Sequence, residues 1–230
     1  MSDISEILER QPTLKRAYSD EQKHQRQLEM CQAAKLLLKE RRYENVTMND
    51  IAEICGVSKG TLYVYFRTKE ALFLTYAEQE INEFFSLLHE TLAQQPNGAG
   101  IDCVLHSLGS IYSQKSEFGR LLALLHTVLE SKVDLDTALS FRRMLKPLLE
   151  STGEEFERHL RFLSPGEGSR LLLSIHAISL GFQQLSNPSP VMKQVEDEPD
   201  MALYRFDFSR DFLSTIKMLL LGIETQAETG

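Results

Sequence analysis

The sequence predicts an all-α protein, because apolar residues recur at helical spacing along most of the 230-residue chain. Alternating runs of Val, Ile and Thr between Asn-Gly or Asp-Gly turns, which would indicate strands, are nearly absent. The 7 prolines and 12 glycines are few, and most of them fall in a handful of places. The pattern therefore predicts about nine helices separated by short breaks.

Four helices are predicted before the first strong breaker, the cluster Pro96-Asn97-Gly98. Residues before Asp20 lie outside the periodic pattern and are predicted to form an N-terminal extension. Arg10, Lys15 and Arg16 could make this extension an arm that contacts a DNA groove or phosphate, and a frayed polar terminus is the alternative. The four helices are predicted to span 20–42, 47–55, 58–66 and 69–94.

Five further helices are predicted after that break. Pro147 falls inside one of them and should kink or divide it, because proline lacks an N–H and clashes with the preceding turn. The segment from Asn187 to Tyr204 holds several prolines and an acidic run and is too long for an ordinary connection. A solvated and partly mobile loop is therefore expected there. The five helices are predicted to span 101–114, 117–131, 135–162, 167–186 and 206–225.

The composition limits the compartment and the chemistry. No apolar run reaches the roughly 18 to 20 residues that a membrane-spanning helix needs. Acidic residues occupy the N-terminus, where a signal peptide carries a basic start, so a cytoplasmic protein without membrane contact is expected. Cys31, Cys55 and Cys103 are far apart and form no CxxC pair, which favours reduced, mostly buried thiols over zinc ligands or disulfides.

The charge is distributed unevenly along the chain. The net charge is −8, but residues 1–70 carry 12 basic and 11 acidic residues while the remainder carries 13 and 22. The window from Ile54 to Lys69 contains no acidic residue at all. Because the steering of a polyanion depends on the local field, the acidity of the remainder does not exclude DNA binding near this window.

The segment TMNDIAEICGVSKGTLYVYFRTKEAL, from Thr47 to Leu72, carries the clearest motif. Its two helices of about eight residues are too short to be stable alone and must pack on a third. Ala52 is small where two helices cross, Gly56 suits a turn with positive φ, and Ser58 can cap the following helix. This pattern predicts a three-helix helix-turn-helix domain, whose second motif helix enters the DNA major groove.

The third helix presents side chains suited to DNA. Lysine can donate to phosphate or guanine, a threonine can contact a base edge, and tyrosine hydroxyls suit phosphate oxygens. Thr47 and Lys69 begin the flanking helices, whose N-termini also favour phosphate. Short helix-turn-helix shapes also occur in proteins that do not bind DNA, and tyrosines at helical spacing often serve packing.

This stretch resembles the N-terminal domain of the TetR family of transcriptional regulators, over about fifty residues. Cys55 and Thr68 depart from the alanine and serine common in that family. By resemblance, the residues that contact DNA are Thr47, Ser58, Lys59, Gly60, Thr61, Tyr63, Tyr65 and Lys69. The resemblance implies a DNA-binding domain over 20–68, after the extension 1–19, and a helical effector-binding and dimerisation domain over 69–230.

Two helices of the second domain are candidates for a dimer interface. The helix near 167–186 is apolar almost all round, and the helix near 206–225 carries a broad apolar stripe. Two such helices from each of two subunits would form a four-helix interface. A two-fold homodimer would place two reading helices about 34 to 36 Å apart, which matches a pseudo-palindromic double-stranded operator.

An effector pocket is expected between the helices of the second domain. Pockets are mostly apolar with a few placed polar groups, although each candidate residue is individually more typical of a core. No His pair has the spacing of metal ligands, so neither a metal nor a cofactor is expected. The candidates that should point inward are Cys103, His106, Phe118, Leu122, His126, Phe141, Met144, His176 and Phe182.

The resemblance to the TetR family further implies a repressor that a small hydrophobic effector releases from its operator. The long fourth helix would carry the movement, because it joins the reading head to the pocket. A ligand-independent or protein-controlled DNA-binding protein and an activator are the alternatives. The sequence has no nucleophile elbow, Gly-rich phosphate loop, paired carboxylates or metal motif, so an enzyme is not expected.

Overall fold

The computed structural model describes residues 11–115 and 117–229, and its regular elements are all helical. The absence of strands within these ranges confirms the all-α prediction. Short 3₁₀ segments cover Tyr43–Asn45, Glu130–Lys132 and Pro199–Tyr204, and Leu125–Leu129 is π-helical. The α-helices are α1 (Gln11–Glu40), α2 (Met48–Ile54), α3 (Lys59–Tyr65), α4 (Lys69–Ala93), α5 (Gly100–Gln114), α6 (Phe118–Leu124), α7 (Leu135–His159), α8 (Glu167–Leu185), α9 (Pro190–Asp197) and α10 (Phe208–Thr229).

The chain divides into two compact units, the first ending at Tyr76 and the second beginning at Ala77. This division falls within α4, so one continuous helix contributes to both units. No helix in the described part of the chain has both the length and the apolar character that a membrane span requires.

The core of the first unit explains how two seven-residue helices hold their places. Ile51 of α2 and Leu62 of α3 are completely buried, together with Cys31 and Ala34 of α1 and Leu72 of α4. Complete burial of one such aliphatic side chain contributes about 1.5–3 kcal/mol. Helices this short are marginal in water, so their stability comes from this shared core rather than from helix propensity.

Local hydrogen bonds fix the ends of α2 and α3. At the start of α2, Thr47 Oγ1 accepts from the Asp50 N–H, and Asp50 Oδ2 accepts from the Thr47 N–H at 2.8 Å. These hydrogen bonds from Thr47 lower the pKa of Asp50. Ser58 Oγ accepts from the Thr61 N–H at 3.0 Å and caps α3, and Gly56 adopts φ of +63° in the turn. The predicted cap and the predicted turn glycine are both confirmed.

The second unit is built from α5 to α10 and most of α4. Helix α10 packs its buried residues Phe212, Ile216 and Leu220 against α5 and α8. Helices α7 and α8 cross at Gly153 and Gly168, where a Cβ added to Gly168 would clash with the carbonyl oxygen of Gly153. The two backbones therefore touch directly, and any side chain at Gly168 would separate them.

Several predicted boundaries were wrong. The segment 187–204 is not an extended loop: α9 and a 3₁₀ turn occupy most of it. Ser189 Oγ accepts from the Met192 N–H and caps α9, and Pro190 occupies its first turn, where a missing N–H costs nothing. Pro147 lies inside α7 without dividing it.

The predicted start of the first helix, Asp20, was wrong. Helix α1 already begins at Gln11, so its first residues lie in the segment predicted as the N-terminal extension. Arg10 lies outside the described residues, and so do the side chains of Lys15 and Arg16. The predicted DNA-contacting arm therefore stays a prediction.

A glycine pair tests the turn between α2 and α3. Gly56→Ala should lower the free energy of unfolding by about 1–2 kcal/mol, because a Cβ disfavours the left-handed backbone. Space is not the cause, since a Cβ at Gly56 would meet no atom within 4 Å. The matched control is Gly60→Ala inside α3, which should be neutral or raise stability by up to about 1 kcal/mol. Urea unfolding of both variants measures this, and equal destabilisation would contradict the assignment.

Candidate nucleic-acid interface and effector pocket

Helix α3 directs nearly all of its side chains to solvent. Leu62 is its only buried residue, and Val64 is 78% exposed. Of the residues predicted to contact DNA, two are half-buried, Tyr65 and Lys69. The other six are exposed: Thr47, Ser58, Lys59, Gly60, Thr61 and Tyr63. Helix α3 and the starts of α2 and α4 thus bring all eight into the first unit.

The polar groups on α3 are partly preorganised. Ser58 Oγ and Thr61 Oγ1 lie 2.8 Å apart and share a hydrogen bond, and Lys59 Nζ lies 6.0 Å from the centre of the Tyr63 ring. The window from Ile54 to Lys69 contributes positive charge without any carboxylate. A helix with one buried residue and a short polar, basic outer face has the shape and charge to enter the major groove.

Lys69 has a role that sequence reasoning missed. Its ammonium donates to the carbonyl oxygens of Tyr43 and Val46, each at 2.9 Å, and lies 3.9 Å from the centre of the Tyr43 ring. The Tyr43 hydroxyl in turn donates to Glu70 at 3.0 Å. Burial and this bond raise the pKa of Tyr43. Lys69 therefore ties the start of α4 to the segment before α2, and its predicted phosphate contact stays a prediction.

Exposed Val64 is absent from the predicted DNA-binding set, although its position between two tyrosines on α3 places it outward. Tyr43 is absent too, because nothing in the spacing of the motif relates it to Lys69. Tyr43 could have been found only by looking for buried partners of Lys69.

The second unit contains a cavity of about 70 Å³, lined by residues of α4, α5, α6, α7, α8 and the π-helical segment after α6. This volume holds several waters, since one water needs about 10–15 Å³ on the same measure. The apolar lining residues from α4 and α5 include Ile81, Phe84, Leu88 and Leu108. Sequence reasoning missed these residues, although the spacing of Ile81, Phe84 and Leu88 on one face of α4 could have indicated them.

The cavity brings together some of the predicted effector residues. Its lining includes Phe118, Leu122, His126, Phe141 and His176. Among the other four, Met144 Sδ accepts from Asn82 Nδ2 at 3.4 Å, and the ring of Phe182 packs against Phe206. Cys103 is half-buried outside the lining, and burial raises the pKa of its thiol.

The prediction that His106 points inward was wrong, because this residue is exposed. Helix α5 buries the face that holds Val104, Leu108 and Ile111, and His106 lies on a different face. The periodicity of α5 is compatible with more than one rotation about its axis, and in the structure α5 packs against α10 and α7.

The polar part of the lining consists of four residues. His126 Nε2 and His176 Nε2 lie 2.8 Å apart, so one ring donates a hydrogen bond to the other. His126 belongs to the π-helical segment, a distortion that frequently marks functional sites. Tyr112 is buried, and burial raises its pKa to about 12. Arg142 completes this set.

A metal is not indicated within residues 11–115 and 117–229. No group of three or more His, Cys, Asp or Glu side chains in those ranges is arranged to hold one. The cavity is lined by apolar side chains with a small basic section.

A lysine pair separates the structural role of Lys69 from surface charge. Lys69→Met keeps the aliphatic stem but removes the donor to two carbonyl oxygens, so the free energy of unfolding should fall by about 1–3 kcal/mol. Lys59→Met is the matched control, because Lys59 is exposed and its loss should change stability by less than about 0.5 kcal/mol. Urea unfolding compares the two, and a change at Lys69 no larger than that at Lys59 would refute the role.

Two family models together match most of the chain. The model described as "Bacterial regulatory proteins, tetR family" matches residues 31–76, and the one described as "Tetracyclin repressor-like, C-terminal domain" matches residues 78–227. The second match alone covers more than half of the chain.

One relative of known sequence is similar to part of the chain. YfiR of Bacillus subtilis, an uncharacterised HTH-type transcriptional regulator, is 34% identical over 88 residues, which are 38% of this chain and 43% of the relative. The match thus spans less than half of that relative's length.

Solved structures show a similar fold over a larger share of the chain. FadR of Thermus thermophilus, a repressor in complex with lauroyl-CoA, has a TM-score of 0.54 at 20% identity and covers 85% of this chain and 93% of its own. Bacillus subtilis FadR in complex with stearoyl-CoA has a TM-score of 0.53 at 16% identity, covering 82% and 96%. At these identities the similarity concerns the fold.

Proposed function

The chain belongs to the TetR family of bacterial regulatory proteins, which confirms the resemblance, and on that premise we propose that it is a homodimeric transcriptional repressor. In this proposal, the first unit reads a double-stranded, pseudo-palindromic operator, and a small hydrophobic effector in the second unit releases it. The observation that carries the proposal is the outward face of α3, which one buried leucine holds in place.

The proposed DNA contacts fall into two groups. On α3, Lys59, Gly60, Thr61 and Tyr63 are the groups that reach the groove, with Gly60 allowing close approach of the backbone. The other four contact phosphates and set the position of the protein along the duplex: Thr47, Ser58, Tyr65 and Lys69. The proposed DNA-binding domain spans 20–68, and 69–230 is the effector-binding and dimerisation domain.

Exposed apolar and small residues on α8 and α10 support the proposed dimer. The inner face of α10 packs within its own unit, whereas Met218 and Leu221 are 63% and 45% exposed on the opposite side. On α8, Leu173 is 48% exposed. A Cβ at Gly181 of α8 or Gly222 of α10 would meet no atom within 4 Å. A second copy pairing through the helices near 167–186 and 206–225 would cover this surface.

The proposed effector is a molecule with a long apolar chain. The cavity is lined mainly by aliphatic and aromatic side chains, and the FadR structures with a similar fold are complexes with lauroyl-CoA and stearoyl-CoA. Helix α4 supplies Ile81, Phe84 and Leu88 to the lining and begins in the first unit. An effector that binds better to a dimer whose two DNA-binding domains are spread apart would lower the affinity for DNA. The size of the decrease is set by the difference between the effector's affinities for the spread form and for the DNA-bound form.

Gly60→Ala tests DNA reading without loss of stability. A Cβ there would meet only Ser58 Oγ, at 3.7 Å, so the fold accepts it. If the backbone of α3 approaches the duplex at this point, the added methyl should weaken operator binding about tenfold or more, a loss comparable to one specific base contact. Lys193→Met, an exposed lysine on α9, is the control and should bind as wild type does.

Fluorescence anisotropy over a salt series measures this, first on the DNA upstream of the protein's own gene and then on duplexes selected from a random pool. The wild type should bind its operator at least about a thousandfold tighter than a scrambled duplex. Equal binding to selected and scrambled DNA would exclude a sequence-specific reader.

Leu221→Asp tests the proposed dimer. A carboxylate in a buried apolar interface pays for desolvation without a partner, so the variant should shift from dimer to monomer at micromolar concentration. Leu135→Asp is the control, because Leu135 is 73% exposed on α7 outside the proposed interface. Light scattering gives the mass of both variants. A wild-type protein of monomer mass at that concentration would overturn the homodimer.

A further inference from the structure

We infer that Val64, a residue absent from the predicted DNA-binding set, reads a thymine in each operator half-site by packing against its 5-methyl group in the major groove. The inference rests on the proposed function, since it assigns a base to the face of α3 that would enter the duplex. It gives a role to a side chain that the predicted polar contacts leave unused.

Val64 faces directly away from the core of the first unit. Successive residues of an α-helix are about 100° apart around its axis, so Gly60 and Val64 each lie about 160° from Leu62. Leu62 is completely buried and is the only buried residue of α3. Val64 is 78% exposed, against 43% for Tyr63. If α3 enters a groove with its outer face, Val64 therefore points to the floor of that groove.

Gly60 leaves room for Val64 to reach the bases. Side chains on a helix lean toward its N-terminus, so Val64 points over the turn that holds Gly60. Gly60 has no side chain, and a Cβ placed there would meet only Ser58 Oγ, at 3.7 Å. No side chain at position 60 therefore stands between the Val64 methyl groups and a bound duplex.

The stability of α3 does not account for a valine at this position. Valine is β-branched and has a lower helix propensity than alanine, and α3 has only seven residues. A side chain this exposed gains little from burial within its own unit. Isolated exposed apolar residues are common on protein surfaces. Val64 is distinguished by its position, opposite the buried anchor of the helix and inside the acid-free window from Ile54 to Lys69.

The chemistry of valine selects thymine among the four bases. A valine side chain has no polar atom, so it can bond neither to a phosphate nor to the donors and acceptors of a base edge. The apolar group that base pairs present in the major groove is the 5-methyl of thymine. The absence of carboxylates from the window around Val64 favours a polyanion as the occupant of this face. A thymine methyl is therefore the matching partner for Val64 on a bound duplex.

Deoxyuridine substitution tests the inference, because deoxyuridine differs from thymidine only by the missing methyl group. Fluorescence anisotropy measures binding of the full chain to a duplex that the wild type enriches from a random pool, with each thymine replaced in turn. One thymine in each half-site should respond, and its replacement should weaken binding about fourfold, the value of burying one group of that size. Val64→Ala should weaken binding to the unsubstituted duplex about fourfold or more. This variant should bind the thymine and deoxyuridine forms within about 1.5-fold of each other, because the two changes remove the same contact.

Val191→Ala is the matched control. Val191 lies on α9 in the second unit and is 68% exposed, so the same side chain is shortened at a similarly exposed position. This variant should bind as the wild type does and keep the full response to deoxyuridine. Thermal unfolding should give Val64→Ala a Tm no lower than that of the wild type, because alanine is the better helix former. Weaker DNA binding by Val64→Ala is then not a loss of fold.

Three outcomes would overturn the thymine contact. They are a selected operator whose half-sites lack thymine, wild-type binding that no deoxyuridine weakens, and a Val64→Ala protein that distinguishes thymine from deoxyuridine as the wild type does. In each of these cases the proposed reading of DNA stands, because the wild type has enriched a sequence. If the wild type enriches no sequence from the pool, the proposed function itself fails and the inference fails with it.

Discussion

The burial of Leu62 is the contact on which the reading surface depends. Helix α3 has seven residues and buries only this one, so the direction of every other side chain on it follows from how Leu62 sits in the core of the first unit, where α3 packs on α2. Ser58 and Gly56 set where the helix begins, and Lys69 fixes where α4 starts after it. A helix so lightly anchored can direct most of its surface to a partner because its neighbours supply the rigidity.

The second unit differs from the first in containing an open space with a mainly apolar lining. Tight packing normally fills such space, and the residues around the cavity are otherwise those of a core, such as Phe84, Phe118 and Leu172. The His126–His176 pair and Arg142 interrupt that lining with groups that require polar partners. The lining of the cavity is thus mainly apolar, with one section of basic side chains.

The features that the sequence predicts well are those that depend on neighbouring residues. The Ser58 cap, the positive φ of Gly56 and the limits of α2 and α3 follow from local chemistry that operates wherever the segment occurs. The failures involve choices made by distant contacts. Pro190 is compatible with a helix break and also with the first residue of a helix. The outward position of His106 depends on how α5 packs against other helices of the second unit. The contact between Lys69 and Tyr43 joins two segments that no sequence motif connects.

The backbone contact between Gly153 and Gly168 has a consequence for ligand size. Side chains can change rotamer to make room, but two backbones already in contact cannot approach further, so α7 and α8 cannot move closer together. The rotamers of the lining side chains, and not a closer approach of these two helices, therefore limit how the shape of the cavity can change.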